Sequence, residues 1–244
     1  MSGDIRTGVL ALCLALPLAA CGGGDERART VEGAASPSSA ASASAAPVEV
    51  EGDGDKTLTE AQLKMALLTV TDLPTGYRLG TVEEDDDSKT TGTGASDECS
   101  DKFKRLSDAE GTEAAKAEAA FEGGGFGTIL EQSLESYEDE DVVQDRFDDV
   151  VEVLSECKTF SDTDKKGVKT DFTVGPLSFP KLGDDTVALA ITGKSPDFTI
   201  SLNVVIVRLG RNVMIVGQGG FATDVPALEQ AVNKGFEKLA AATE

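Results

Sequence analysis

The sequence predicts an α+β fold, an antiparallel sheet with amphipathic helices packed against it. Three observations predict it. Strand-length runs follow one another between about 168 and 219, and the Gly/Pro/Asp turns between them are too short for parallel crossovers. Segments at about 60–71, 141–157 and 225–241 repeat apolar residues at helical spacing and begin with capping residues. Finally, Leu134–Leu154 and Gly217–Leu239 share one order: strand, polar turn containing Asp-Val, amphipathic helix. That likeness is too thin to establish duplication, but it suggests two similar halves, each strands then helix.

The chain opens with an address. Arg6 precedes a run from Val9 to Ala20 that is apolar apart from the thiol of Cys13. It is too short for a membrane span, which needs about twenty residues, and has the layout of a secretory signal. The run ends Leu18-Ala19-Ala20-Cys21, which resembles a bacterial lipobox. The expectation is a lipoprotein signal peptide over 1–20, cleavage before Cys21, and a diacylglyceryl thioether on Cys21 that holds the protein on the outer face of the cytoplasmic membrane. An ordinary cut after a small residue, leaving Cys21 a free thiol, is the alternative. Residues 21–56 are the lipidated cysteine and a tether of glycine, alanine, serine and acids, with too little apolar surface to fold. As a coil it spans roughly 30 Å. Residues 57–244 are then enough for one domain with a single core.

Removing the signal takes away Arg6 and Asp4 alike, so the formal net charge stays at -22. Such a surface repels phosphate backbones and anionic headgroups, which excludes nucleic acid as a partner and leaves membrane contact to the acyl anchor. With Cys13 discarded and Cys21 acylated, Cys99 and Cys157 remain. In an exported chain the simplest reading of that pair is a disulfide; two buried thiols are the alternative. Metal ligation is a poor reading, since the chain has no histidine and neither cysteine lies in a CxxC.

The folded part starts at Leu58. Thr59 and Gln62 form a capping box, and Leu63, Ala66, Leu67 and Val70 share a helical face over about 60–71. Asp72-Leu73-Pro74-Thr75-Gly76-Tyr77 ends that helix, and Tyr77–Val82 reads as a short strand. Glu83–Asp87 is a run of carboxylates without the spacers or glycine of a calcium loop, hence a solvated loop. A helix at about 97–106 carries Cys99, Phe103 and Leu106. Strands at 115–122 and 127–137 flank Gly123–Phe126, a hairpin turn with no Lys-Ser/Thr after it. From Asp141, paired with Gln144 as a cap, Val143, Phe147, Val150, Leu154 and Cys157 line one helix face, so Cys157 points inward. Asp162–Gly167 begins like an EF-hand but puts Lys166 and Thr173 where ligands belong.

Strands are then expected at 168–174, 185–193, 197–208 and 212–219. In the third, Phe198, Ile200, Leu202, Val204 and Ile206 form a face read as core. The other face, with Ala188, Ala190 and Ser201, is small enough for a close-packed helix or a ligand, and packing is the preferred reading. Thr223 or Asp224 caps a last helix, 225–241, with Leu228, Val232, Phe236 and Leu239 toward the sheet. Gly217–Ala222 matches GxGxxA between strand and helix, but no parallel strand or acid follows as a dinucleotide site requires.

Without histidine, Ser/His/Asp and Cys/His nucleophile systems and HExxH sites are absent. The SxxK at Ser155–Lys158 sits at a helix C-terminus, where the dipole disfavours a serine anion. No cofactor site is legible, and a non-catalytic binding module is the expectation. A carboxylate-pair hydrolase and a pocketless interaction scaffold are the rivals.

The helix followed by Asp72–Tyr77, the isolated Cys99 and Cys157, and the terminal strands with their closing helix together resemble the PknH-like extracellular sensor domain family. The resemblance spans about 57–244. It implies an α+β sheet with one cleft and a sensing or ligand-binding role, for a small or lipid-like molecule or a cell-envelope protein partner.

Overall fold

A computed structural model describes residues 54–82, 98–108, 113–123, 127–163 and 167–244. The signal run, Cys21, nearly all of the tether and Glu83–Asp87 lie outside them. The elements are α1 (Glu60–Ala66), a 3-10 turn (Val70–Asp72), β1 (Arg78–Leu79), α2 (Glu98–Asp108), β2 (Glu113–Glu122), β3 (Ile129–Tyr137), α3 (Glu140–Glu156), β4 (Thr159–Thr163), β5 (Lys169–Pro176), β6 (Asp185–Lys194), β7 (Thr199–Leu209), β8 (Asn212–Gly220) and α4 (Val225–Thr243).

All eight strands form one antiparallel sheet in the order β1-β2-β3-β8-β7-β6-β5-β4. One hairpin, β2–β3, and a meander, β4–β8, account for most of that order. β1–β3 run as neighbours, α3 carries the chain to the far edge, and β4–β8 return strand by strand until β8 pairs with β3. The side chains alternate between two faces.

The first face is the main core. Phe121, Leu130, Leu134, Val205, Val207, Met214 and Val216 pack under Leu63 of α1 and Leu228, Val232, Phe236 and Leu239 of α4. Fully burying each such side chain stabilises by about 1.5–3 kcal/mol, so this layer dominates the fold. The helix α4 lies close because residue 235 is glycine: a Cβ there would stand 2.8 Å from Gln132 Nε2 and 2.9 Å from Met214 Sδ. Buried amides of the incoming chain are met by the sheet, Leu68 N–H donating to Gln132 Oε1 and Leu58 N–H to Ser136 Oγ, both at 2.7 Å.

The second face takes α3. Val143 packs with Tyr137 and Val213, with Val142, Ile206 and Ile215 around them. At the far end Cys157 is wholly buried and bonded to Cys99 of α2. Phe103 of α2, Phe160 of β4 and Phe172 of β5 continue the layer, with ring centroids 4.7 Å apart in each pair.

Several expectations need adjustment. The first helix stops at Ala66 because Leu67 is extended (ψ 150°), and the 3-10 turn follows; Leu68, not Val70, is buried there. α3 is capped two residues earlier than expected, by Asp139, whose carboxylate accepts from Asp141 N–H at 3.0 Å. β4 ends on Asp162 and Thr163, the first two residues of the stretch read as a failed calcium loop, and residues 164–166 of that stretch lie outside the described residues. In β7 the fully buried face is Asn203, Val205, Val207 and Leu209, while Leu202, Val204 and Ile206 are only half-buried. The aliphatic face read as core is therefore the less covered one, because α3 roofs only part of it whereas α4 covers the first face. The small side of β6 does pack: Ala188 lies against the main core.

Candidate functional site

The incomplete roof leaves a floor. Leu189 and Ile191 of β6, Leu202 and Val204 of β7, and Ile215 of β8 share the second face and are half-buried. Toward β3 and β2 the same face turns polar by register: Lys116 stands opposite Glu135, Glu118 opposite Ser133, and Ala120 opposite Glu131. Ser133 in turn lies beside Ile215, and Glu131 beside Gly217, where the absent side chain leaves the floor shallow. An aliphatic strip thus runs directly into an ionisable margin.

The lower end of that margin is closed. Glu135 is 4% exposed, and its Oε2 accepts a hydrogen bond from the Tyr137 hydroxyl at 2.5 Å. Arg146 of α3 donates to the same hydroxyl at 3.0 Å and lies 5.7 Å from the Tyr137 ring centroid. Burial lifts the Glu135 carboxyl above the usual carboxylate range, against the pull of Tyr137, Lys116 and Arg146. Burial and the adjacent Glu135 charge raise Tyr137 as well. Lys116 Nζ pairs with Glu118 Oε1 at 2.7 Å. Three buried oxygens in this neighbourhood have no hydrogen-bond partner: Glu113 Oε2, Ser133 Oγ and Glu135 Oε1.

A concavity of about 390 Å³ lies between the 3-10 turn and α4, lined by Thr71, Asp72, Gln230, Asn233, Lys234 and Glu237. It is polar and internally paired: Lys238 reaches Asp72 at 3.0 Å, Lys234 reaches Glu237 at 2.7 Å, and Gln230 Nε2 donates to Asp72 O. Burial acts to raise the Asp72 carboxyl, but hydrogen bonds from Lys238 and Thr69 outweigh it and hold the carboxyl below its ordinary value. This groove is a clamp between α1's exit and α4, with little left to offer a ligand.

The other residues singled out in the sequence have plain positions. Cys99 and Cys157 form the disulfide, with Cα atoms 5.5 Å apart. In the SxxK stretch Ser155 Oγ donates to Glu152 O and Lys158 Nζ to Leu154 O, so both serve the end of α3 and not each other. Gly217, Gly219 and Gly220 belong to β8; a Cβ on Gly220 would stand 2.5 Å from Gly127 O, so Gly220 permits the close approach of the chain just before β3, while Gly219 faces Leu202 of β7. Among the described residues no group of three or more His, Cys, Asp or Glu is placed to hold a metal ion, and no helix is long and apolar enough to cross a membrane. Sequence reading missed the Glu135–Tyr137–Arg146 cluster. Its signal was there, in polar residues at every second position of a strand, Glu131, Ser133, Glu135 and Tyr137, which alone reads as a solvated face.

No family model and no curated protein matches the chain. Among solved structures, the extracellular domain of PknH from Mycobacterium tuberculosis aligns with a TM-score of 0.52 at 11% identity, over 77% of this chain and 98% of that one. An uncharacterised protein from Mycobacterium smegmatis, the Rv0999 ortholog, aligns with a TM-score of 0.37 at 15% identity, over 78% and 95%. The chain has the fold of the PknH extracellular domain, with the antiparallel α+β architecture that its own sequence predicts.

Proposed function

We propose that this chain is a non-catalytic extracytoplasmic module, anchored through a lipid on Cys21, that binds a small lipid-like ligand on the second face of its sheet. The observation that carries the reading is the half-buried aliphatic strip of Leu189, Ile191, Leu202, Val204 and Ile215 running into a polar margin. Aliphatic side chains left half-covered between a sheet and its helices are a surface that gains by excluding water, and a few polar groups at its border supply orientation. The fold shared with an extracellular domain supports the compartment. The hydrolase reading finds less support, since Glu135, the one almost fully buried carboxylate among the described residues, is shut beneath Tyr137 and Arg146.

Native mass spectrometry of protein purified from its own host, followed by lipid extraction, tests the proposal. A bound amphiphile is expected, and Val204→Glu, which puts a charge in the middle of the strip, is expected to remove it. Protein that carries nothing and takes up no acyl probe would turn the reading toward an interaction scaffold working through its outer surface.

A further inference from the structure

The turn between β7 and β8 carries two loads. On one side it receives the tether: Arg211 N–H donates to Gly54 O at 2.9 Å, and Asn212 Nδ2 reaches Gly54 O and Lys56 O. On the other it holds the start of α3. Arg208, buried, donates through Nη1 to Glu140 Oε1 of α3 at 3.2 Å and to Gly210 O at 3.4 Å. Arg211 Nη1 donates to Glu138 O at 2.8 Å, just before α3. Tyr137 joins the two loads: its N–H donates to Arg211 O, its carbonyl accepts from Thr57 Oγ1, and its hydroxyl accepts from Arg146 of α3. Residues 54–57 and the first two turns of α3 are thus fastened to one short stretch of chain. α3 is also the roof over the floor. Val142 and Val143 belong, with Tyr137, Val213, Ile206 and Ile215, to the small cluster beneath its first turn. Ile215 is part of the aliphatic strip as well, so a ligand tail that takes Ile215 competes with that turn for it.

We propose that docking of the tether reports on the floor site: residues 54–57 are held while α3 is seated, and a ligand tail that lifts its first turn releases them. This rests on the floor being the ligand site and assigns that site an output, a change in how the domain is held on its anchor. The two states are a docked and a free tether end. A ligand shifts their balance through its competition with α3 for Ile215, and Arg146, Glu140 and Tyr137 carry the shift to the turn.

The test follows tryptic cutting after Lys56, whose rate tracks the released fraction, with cutting inside α4 as the measure of global opening. Two arms are needed. In the first, Arg146→Ala with Glu140→Gln unties the start of α3 without touching residues 54–57. Cutting after Lys56 is expected to speed up at least about fivefold, the scale of one net hydrogen bond, while α4 stays slow. A control pair on the outer side of the same helix, Asp145→Asn with Glu152→Gln, is expected to cut like the parent. If the α3 pair leaves the Lys56 rate unchanged, or the control pair raises it as much, the coupling falls. Should the α3 pair open α4 as well, Glu140→Gln alone decides: a smaller rise at Lys56 supports the coupling and an unchanged rate overturns it. In the second arm decanol, below its solubility limit, is the probe, with binding followed by titration calorimetry. Saturable binding to the parent that speeds cutting after Lys56 several-fold is expected. If decanol binds and the rate does not move, the coupling falls and the floor site stands. If decanol does not bind, the floor site itself falls and takes the coupling with it.

Discussion

A single glutamate sets the character of the second face. Glu135 is buried with one oxygen satisfied by Tyr137 and the other unpaired, so its charged form is disfavoured by desolvation. Because the folded pKa lies above the ordinary value, the native state holds a proton over a pH window in which the unfolded chain has lost it. That preference stabilises the fold below the ordinary carboxylate value and is lost as pH rises through the folded one. Glu135→Gln keeps an acceptor for Tyr137 and has no charge to desolvate. It is expected to be more stable than the parent at neutral pH by about 1 kcal/mol, the scale of one uncompensated buried polar atom. Denaturant melts of the two proteins across pH check this: the gap should close as pH falls below the ordinary carboxylate value, and a gap that widens on acidification would contradict the assignment. Gln218 is a quieter case. Wholly buried, it donates to Tyr77 and accepts from Asp224 N–H at the cap of α4. Nothing in the isolated sequence marks a strand glutamine for that work, because both partners are distant in the chain or lie past a turn.

At the scale of elements, legibility follows how much of an element's stability is local. The capping box of Thr59 and Gln62 and the apolar face of α4 are written within one or two helical turns, and both are found as read. β4 is different: Thr159-Phe160-Ser161-Asp162-Thr163 has one large apolar residue and is a strand because β5 pairs with it and Phe160 stacks on Phe172. β1 likewise shrinks to Arg78–Leu79, since its length is set by where β2 can pair. The disulfide works on this scale too. It ties α2, which packs beside α3 and β4, to the end of α3 across 58 residues of sequence. Closing such a loop stabilises by about 4 kcal/mol on the chain-entropy model. The pair Cys99→Ala with Cys157→Ala is expected to lose stability of that order in chemical denaturation. Peptide mapping without reductant should recover the linked pair from the parent, and free thiols in folded parent protein would count against it.

For the whole molecule the questions are where the tether joins the domain and where the chain is held. The lipid anchor is checked by fractionation: Cys21→Ala is expected to leave the membrane for the soluble fraction, and a variant retained as firmly as the parent would refute the anchor. Where the tether meets the domain, its last residues are docked. Gly54 O accepts from Arg211 N–H at 2.9 Å and from Asn212 Nδ2 at 3.2 Å, Lys56 O accepts from Asn212 Nδ2 at 3.1 Å, and Thr57 Oγ1 donates to Tyr137 O at 3.0 Å. The chain therefore enters at the β7–β8 turn. The pairing of Glu131 with Gly217, six strand residues above Arg211, sets the open margin about 20 Å from that entry point. The docking depends on Gly210, which has φ +55° and approaches Gly54 so closely that a Cβ would stand 2.1 Å from Gly54 O. Gly210→Ala adds strain at a left-handed position and drives that carbonyl away. It is expected to release residues 54–56, so that trypsin cuts after Lys56 several-fold faster than in the parent while cleavage within α4, held by the main core, stays slow. Release should also free the domain to turn about its anchor, lowering fluorescence anisotropy of vesicle-bound protein labelled at the β6–β7 turn, at the opposite end of the sheet. An unchanged rate at Lys56 would mean that the tether is not held at this turn, and the orientation drawn from it would fail.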